Sequence, residues 1–279
     1  MRKPVAIVAG ALAAWIAVAC LDISSPAGKI LAITSVLLPT PSVVVGDDLR
    51  DTNGAVASLR VIAFGANGDT IPSADIVVRF FAVDNTQKLR VDSMTGIAHG
   101  DGLSPLANVV ARVTPVDGGG IIQTPLVPLP VVPKPVSATR ANDTTFLFSV
   151  VSNGKTVTDS FSTSLLSPPL SVTVHGNGDT LVQGYVVSYQ VVKAPKSTTN
   201  DSTVVLFDRS GNDSTVAITN SSGVASRQLR IRPNLVADPN LLIGLTTDTV
   251  VVRVRVRHQG QDLKISPDSA FIVTIRGSP

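Results

Sequence analysis

The sequence has 279 residues and a formal net charge of +3, from 23 basic and 20 acidic residues, and only 4% of it is aromatic. So small a charge excludes the strongly basic surface that nucleic-acid-binding proteins use, and the scarcity of aromatic rings disfavours a carbohydrate site built on ring stacking. With a single cysteine no intrachain disulfide can form, so packed apolar cores must hold the fold together.

The first twenty residues have the pattern of an export signal that ends at the cysteine. Arg2 and Lys3 precede an apolar stretch over residues 5–19, which is shorter than the about 20 residues of a membrane-spanning helix. Removal of Arg2 and Lys3 with the signal would leave 21 basic against 20 acidic residues, a net charge of +1. The mature part is therefore expected to be almost neutral.

Ala17-Val18-Ala19-Cys20 resembles the lipobox of bacterial lipoproteins, in which the cysteine is lipidated and becomes the new N-terminus. Ala17 stands where that motif usually has Leu. The resemblance implies a lipoprotein signal peptide at 1–19, a lipid anchor on Cys20 and a tether at 20–29. Leu21 is not the Asp that retains lipoproteins at the inner membrane, which favours the outer membrane. The alternative is an ordinary cysteine beside a standard cleavage site, but a lone thiol invites intermolecular pairing.

The rest of the chain is rich in Val, Thr and Ser and falls into short alternating runs bounded by turn residues, which is typical of sandwiches and barrels. In the run 250–257 the even positions are all valine, whereas Val251 and three arginines take the odd ones. Such a strand has one face on the core and one in water. Strands are predicted at 58–64, 76–83, 109–113, 146–151, 170–174, 185–192, 203–207, 227–232, 249–258 and 270–275.

An internal repeat indicates two copies of one unit. An Asn-Gly-Asp turn at 67–69 recurs at 177–179, about 110 residues later, and a valine-rich strand follows each copy. A looser echo pairs Thr95-Gly96-Ile97-Ala98 with Ser222-Gly223-Val224-Ala225. A unit of about 100 residues matches one immunoglobulin-like sandwich. Five prolines in 125–135 predict an edge strand that runs into an extended linker. We therefore expect tandem sandwiches at 30–136, ending in that linker, and at 137–279.

These turns and strands resemble the bacterial immunoglobulin-like (Big) domains over most of residues 30–279. The first copy does so through segments 43–47, 67–69, 77–80, 95–98 and 107–113. The second copy is similar to the variant of invasin- and intimin-type surface proteins, through segments 176–179, 187–189 and 219–225, with Tyr189 where that variant has Phe. The resemblance implies non-catalytic modules at the cell surface, used as spacers or adhesins.

Motifs of catalysis and metal binding are missing. None of His99, His175 and His258 has a second His at metal-ligand spacing, and no Gly-x-Ser-x-Gly or phosphate-binding Gly-rich motif occurs. We expect no catalytic residues, no metal and no cofactor, although a hydrolase site assembled from distant loops stays open. Acidic turns at 47–48, 67–69 and 84–85 could offer oxygens to calcium. Calcium needs six to eight converging oxygens, and turn geometry accounts for these residues better.

Arginines form the sharpest surface pattern. Arg253, Arg255 and Arg257 share one face of a strand, and Arg230 and Arg232 alternate with Leu and Ile on another. If the two strands are neighbours, five guanidinium groups form one face that suits phosphate or carboxylate groups. The alternative is a solvated face whose arginines pair with acidic residues or protect a sheet edge.

The sequence thus favours a lipid-anchored protein of the bacterial cell envelope, held to the membrane through Cys20. Its immunoglobulin-like modules would act as spacer, adhesin or protein-interaction unit, with a protein or glycan partner at the cell surface. The alternative function is binding of an anionic envelope glycan or lipid phosphate through the arginine face.

Overall fold

The computed structural model describes residues 30–65, 67–152, 155–156, 165–208 and 210–278. The expected signal peptide, Cys20 and the tether at 20–29 lie outside the described residues. Within the described part strands predominate, and α-helix is confined to the single turn α1 (Pro239–Leu242). This confirms the predicted all-β fold class.

The strands up to residue 132 are short, apart from two of eight residues that pair with each other. We call residues 30–132 the N-terminal region. Its strands are β1 (Ala32–Ile33), β2 (Val43–Val44), β3 (Ala63–Phe64), β4 (Ile76–Val83), β5 (Leu89–Val91), β6 (Ala98–Gly100), β7 (Asn108–Pro115), β8 (Ile122–Gln123), β9 (Val127–Pro128) and β10 (Val131–Val132).

After residue 132 seven of the described strands have six to nine residues, and we call residues 133–278 the C-terminal region. Its strands are β11 (Pro135–Arg140), β12 (Thr144–Ser149), β13 (Val151–Ser152), β14 (Lys155–Thr156), β15 (Leu170–Gly176), β16 (Val186–Lys193), β17 (Val204–Phe207), β18 (Val216–Ile218), β19 (Val224–Ile231), β20 (Asp248–Arg255), β21 (Arg257–His258), β22 (Gln261–Asp262), β23 (Lys264–Ser266) and β24 (Ala270–Ser278).

The C-terminal region contains two five-stranded sheets, in the orders β17-β19-β15-β11-β23 and β12-β24-β20-β16-β18. Their ladders are antiparallel, except that β11 pairs in parallel with β23 and β12 with β24. The sets β11-β15-β19-β17 and β16-β20-β24 correspond to the ABED and CFG sheets of the immunoglobulin fold. The strand order itself therefore identifies an immunoglobulin-like sandwich.

The N-terminal region repeats this order in shorter pieces. β4 pairs with β7 along its whole length, and β7 pairs with β8 and β9. β2 pairs in parallel with β10, as β12 does with β24. The pairs β1–β3 and β5–β6 are separate from the sheet that contains β4 and β7. The segments that lead into β3 and β6 are joined by a hydrogen bond from the Leu59 amide to the Gly96 carbonyl (2.9 Å). The strand predicted at 58–64 is reduced to β3, because its partner β1 supplies only two paired residues.

The alternation predicted for residues 250–257, from β20 into β21, is confirmed. Val250, Val252, Val254 and Val256 are all 0% exposed, whereas the arginines between and after them face outward. With Phe148, Phe271 and Leu229 these valines belong to the large hydrophobic cluster of the C-terminal region. A smaller cluster around Leu49, Phe80 and Leu129 fills the N-terminal region.

The repeated turns have equivalent backbone conformations. Gly68 and Gly178 of the Asn-Gly-Asp turns both have positive φ, +79° and +64°, as the sequence predicts. Gly96 and Gly223 also have positive φ, +70° and +66°. Each accepts a hydrogen bond of 2.9 Å at its carbonyl, from Leu59 and Val174 respectively. The looser echo in the sequence therefore marks equivalent positions in the two regions.

Tyr189 and Phe80 are the buried aromatic residues that follow the two turns, on β16 and β4. The Tyr189 hydroxyl donates to the Ala225 carbonyl (3.0 Å). A buried hydroxyl needs such a partner, which explains how this position takes Tyr where the resembled variant has Phe.

The chain passes between the two regions over a very short distance. Only Pro133 and Lys134 separate β10 from β11, and β11 begins at Pro135, so Val136 lies inside a strand. Val44 and Val132, which belong to β2 and β10, are part of the large hydrophobic cluster of the C-terminal region. The paired ends of β2 and β10 therefore pack directly against the second core.

Candidate functional site

A cleft of about 320 Å³ lies where the two regions meet, and we call it the junction cleft. One wall is segment 40–54 of the N-terminal region, and the other consists of β16, β20 and β21 with residues 184–185. Three of the five predicted arginines, Arg253, Arg255 and Arg257, line it. Its volume is within the range of small-ligand sites, about 300–1,000 Å³.

Asp47 and Arg50 form a fixed ion pair on the N-terminal wall. Arg50 donates from Nε to Asp47 Oδ2 and from Nη2 to Oδ1, both at 2.8 Å, and from Nη1 to the Gly54 carbonyl. Asp47 is only 7% exposed. Burial opposes ionisation, but the hydrogen bonds from Arg50 and from the Asp48 amide outweigh it and lower the pKa of Asp47 below its usual value. Asp47 is therefore a buried, ionised carboxylate whose negative charge is compensated by Arg50.

The other carboxylates of this wall are also engaged. Asp48 Oδ1 lies 2.8 Å from His99 Nδ1. Asp51 Oδ1 accepts the amides of Asn53 and Ala55, at 2.9 and 3.0 Å. Aspartate side chains commonly accept backbone amides in this way in turns. The ion pairs of Asp47 and Asp48 and the hydrogen bonds of Asp51 thus lie within the N-terminal region.

The C-terminal wall presents a polar patch on two adjacent strands. Arg253 lies opposite Gln190, and Arg255 lies opposite Ser188, in the antiparallel ladder between β16 and β20. Because residues directly opposite in such a ladder have Cβ atoms about 4.5–5.5 Å apart, these four side chains form one continuous surface. Arg257, farther along, donates from Nε to Asp262 Oδ1 at 2.7 Å.

Tyr185 and His258 close one corner of the cleft. The Tyr185 hydroxyl donates to the Arg257 carbonyl (2.6 Å) and lies 3.4 Å from His258 Nδ1. Burial raises the pKa of Tyr185 well above its usual value and lowers the pKa of His258. The corner is therefore uncharged at neutral pH.

Two direct contacts hold the walls together. Ser42 Oγ donates to the Gly184 carbonyl at 2.7 Å. The Gly54 backbone, at φ +91°, approaches residues 259–260 so closely that a Cβ atom there would lie 2.7 Å from the Gly260 nitrogen. A side chain at Gly54 would push the walls apart.

The five arginines do not share one face. β19, which carries Arg230, and β20 belong to different sheets of the sandwich, so the condition for a single face is not met. Arg230 stacks on the Phe207 ring (5.1 Å to its centroid), and Arg232 lies 3.7 Å from Asp213. The connection between β19 and β20 crosses from one sheet to the other, and the arginines separate into two groups.

In the acidic turn at 84–85 the carboxylate accepts hydrogen bonds from backbone amides of the same turn. Asp84 accepts the amides of Thr86, Lys88 and Leu89 together with the Ser104 hydroxyl, and these bonds outweigh its partial desolvation and hold its pKa well below the usual value. Among the described residues no three His, Cys, Asp or Glu side chains are placed to hold one metal ion.

Sequence reasoning missed most of the cleft. The signal for Ser188 and Gln190 was present, since they alternate with the apolar Val187 and Tyr189 in a predicted strand and must face outward. No local pattern brings segment 40–54 to this face, because that contact joins residues more than 130 positions apart.

Comparison with known proteins gives only distant likeness. No family model matches the chain, and no curated protein matches it. Similar solved structures include domains 1–6 of the surface layer protein SbsC (TM-score 0.28, 10% identity, 90% of this chain and 28% of that one). Others are Drosophila N-cadherin EC1–4 (TM-score 0.24, 10% identity, 89% and 50%) and the four N-terminal Ig domains of Dscam1 isoform 1.9 (TM-score 0.20, 12% identity, 85% and 42%). The chain spans half or less of each of these structures, and likeness at this level carries no argument about function.

Proposed function

We propose that the chain is a lipid-anchored protein of the bacterial cell envelope in which two non-catalytic immunoglobulin-like modules, residues 30–132 and 133–278, form a stiff spacer. Such a spacer would present its outer module to a partner, as the bacterial immunoglobulin-like domains that the sequence resembles do. Both regions have the same order of strand pairings and a hydrophobic cluster of their own, which supports the division into two modules.

The observation that carries the proposal is the continuity of the junction. β10 pairs in parallel with β2, runs into β11 after two residues, and places Val132 and Val44 in the second core. The contact of Ser42 with Gly184, next to β2, and the close approach of Gly54 to Gly260 add further attachments along the cleft. Several attachments resist bending better than a single flexible linker, and stiffness is what a spacer needs.

The lipid anchor rests on the sequence around Cys20. Within the described residues no helix is long and apolar enough to cross a membrane. Intact-mass measurement of the membrane-extracted protein and of Cys20→Ala tests the anchor. We expect added lipid mass on the wild-type N-terminus and release of the variant from the membrane. An N-terminus without lipid mass would remove the anchor, and recovery in the inner-membrane fraction would remove the outer-membrane location.

Stiffness is measured by the distance between two spin labels, one on each module, in the full chain carrying Cys20→Ala. Leu106→Cys and Leu147→Cys offer exposed positions, at 85% and 64% exposure. We expect one narrow distance distribution, which Gly54→Ala broadens because its Cβ overlaps Gly260. Gly118→Ala is the matched control, since Gly118 also has positive φ but open space around it. A broad distribution in the parent protein would overturn the spacer.

A further inference from the structure

The polar patch on the C-terminal wall of the junction cleft, formed by Ser188, Gln190, Arg253 and Arg255, is open to solvent and makes no side-chain contact of its own with polar groups of the described part of the protein. Among the described residues, neither the Arg253 nor the Arg255 guanidinium has a hydrogen-bond or ion-pair partner, and the Ser188 hydroxyl and Gln190 amide also make no side-chain hydrogen bond. Other arginines are engaged, as Arg50 is by Asp47 and Arg257 by Asp262. The patch therefore combines two guanidinium groups that have no ion-pair partner in the described part of the protein with an amide and a hydroxyl, each of which can donate or accept a hydrogen bond.

The acidic wall does not satisfy this patch. Asp47 is neutralised by Arg50, Asp48 contacts His99, and Asp51 accepts amides of its own turn. The patch therefore keeps its positive charge while it faces carboxylate oxygens that can still accept further hydrogen bonds. A ligand here needs an anionic group toward β20 and hydroxyl donors toward segment 40–54.

We infer that the junction cleft binds a carboxylate-bearing sugar chain, with the carboxylates on Arg253 and Arg255 and the sugar hydroxyls on Ser188, Gln190 and the acidic wall. Guanidinium binds carboxylate with paired, charge-assisted hydrogen bonds. Arg253 and Arg255, two residues apart on one strand, are about 7 Å apart along it, which leaves room for an anionic group at each.

The two walls favour this ligand over phosphate. A uronate places one negative charge on a guanidinium and turns uncharged hydroxyl groups toward segment 40–54, whereas the second charge of a phosphate monoester would find on that wall only Arg50, which is already paired with Asp47. A phospholipid headgroup in a bilayer belongs to a flat surface, whereas these arginines line a cleft between two walls. The inference rests on the proposed location only for the source of the glycan, and binding by purified protein is independent of Cys20.

The test is calorimetric titration of the purified full chain with oligogalacturonate at low salt. We expect saturable binding that Arg253→Gln/Arg255→Gln weakens by about tenfold or more for each arginine removed. The matched control is Arg60→Gln/Arg79→Gln, which removes the same charge outside the cleft and should leave the affinity within about twofold. Neutral dextran should not bind.

Three results would overturn the inference. The first is oligogalacturonate affinity that is unchanged in Arg253→Gln/Arg255→Gln while circular dichroism shows an intact fold. The second is equal loss in the control variant, which would indicate a bulk charge effect. The third is binding to phosphatidylglycerol vesicles that depends on the same two arginines and exceeds binding to oligogalacturonate, which would assign the patch to lipid phosphate.

Discussion

β16 and β4 follow the two copies of the Asn-Gly-Asp turn, yet they have different neighbours. β16 is covered on both sides, by β20 and by β18. β4 pairs with β7 on one side, and near its other edge the Phe80 amide donates to the Ser93 carbonyl. The added strand β18 explains why the polar patch of the cleft lies within a sheet in the C-terminal region, where backbone pairing fixes its side chains on both flanks.

The hydrophobic cores of the two regions also differ, and the C-terminal region again has the more extensive structure. Among the described residues, the C-terminal cluster contains 28 buried residues, including Val44 and Val132 from the other region, and the main N-terminal cluster contains 12. Burial of apolar surface is the dominant favourable contribution to folding. We therefore expect the C-terminal region to be the more stable of the two and the N-terminal region to depend on packing against it.

The largest expected effect comes from breaking the larger core. Phe271 is 0% exposed, and Phe271→Ala should cost about 3–5 kcal/mol through lost burial and a cavity. Hydrogen exchange resolved by segment should show faster exchange in both regions, because the N-terminal region packs against the damaged core. Leu129→Ala, in the smaller core, should cost about 2–5 kcal/mol and accelerate exchange mainly in the N-terminal region. The exposed Leu147→Ala is the control, and equal responses of both regions to Leu129→Ala would contradict the asymmetry.

A smaller effect tests whether the repeated glycines are equivalent. A Cβ at Gly96 would lie 2.9 Å from the Phe80 ring and one at Gly223 would lie 3.1 Å from the Val174 carbonyl, both at positive φ. Gly96→Ala and Gly223→Ala should each lower the free energy of unfolding by about 2–4 kcal/mol, from backbone strain and steric overlap together. Gly68 also has positive φ but open space around it. Gly68→Ala should therefore lower the free energy of unfolding, measured in urea, by only about 1–2 kcal/mol. If Gly68→Ala lowered the free energy of unfolding as much as Gly96→Ala and Gly223→Ala do, close packing would not be what Gly96 and Gly223 have in common.

The smallest effect is a pH dependence of the junction. The pKa of His258 lies below its ordinary value of 6.5, chiefly through burial, and nearby Lys134 and Arg50 lower it further while Asp47 opposes them. A lowered pKa means that the unfolded or open state binds the proton more readily. The junction is therefore fully stable above pH 6.5 and loses stability as pH falls through that value toward the lower folded pKa.

Spin-label distances recorded between pH 7.5 and pH 5 check this dependence. We expect the distribution to broaden as the pH falls in the parent protein and to change less in His258→Gln. His175→Gln, which alters a histidine outside the cleft, should behave like the parent. Broadening that persists unchanged in His258→Gln would assign the pH response to another group, with Asp47 protonation expected only at lower pH because its pKa is depressed.

Much of the fold could be predicted because its strands obey local rules. The strand predicted at 76–83 coincides with β4, and the even-numbered valines of residues 250–257 are buried as expected. β11 was harder to predict, because it begins at Pro135 within a proline-rich segment and owes its pairing to β15 and β23 rather than to its own composition. Register and partner choice are tertiary properties, and a single strand carries little information about them.

The site could be predicted only on one wall. Alternation places Arg253 and Arg255 on an outward face, but it cannot tell which sheet that face belongs to. The grouping with Arg230 and Arg232 was wrong for this reason, since β19 and β20 are consecutive in the chain and lie in opposite sheets. The opposite wall comes from segment 40–54, whose approach depends on the contacts of Ser42 with Gly184 and of Gly54 with Gly260, which no periodic pattern marks.

The parallel pairs β2–β10 and β12–β24 have a mechanical consequence. In each region an early strand lies beside the last one and runs in the same direction. Tension applied along the chain pulls the early strand backward and the last strand forward, so that their hydrogen bonds are sheared together instead of being opened one at a time. β12 and β24 share six paired positions, from Thr144 opposite Val273 to Ser149 opposite Ser278, whereas β2 and β10 share two. Under load the N-terminal region should yield first and lengthen, while the C-terminal region keeps its shape.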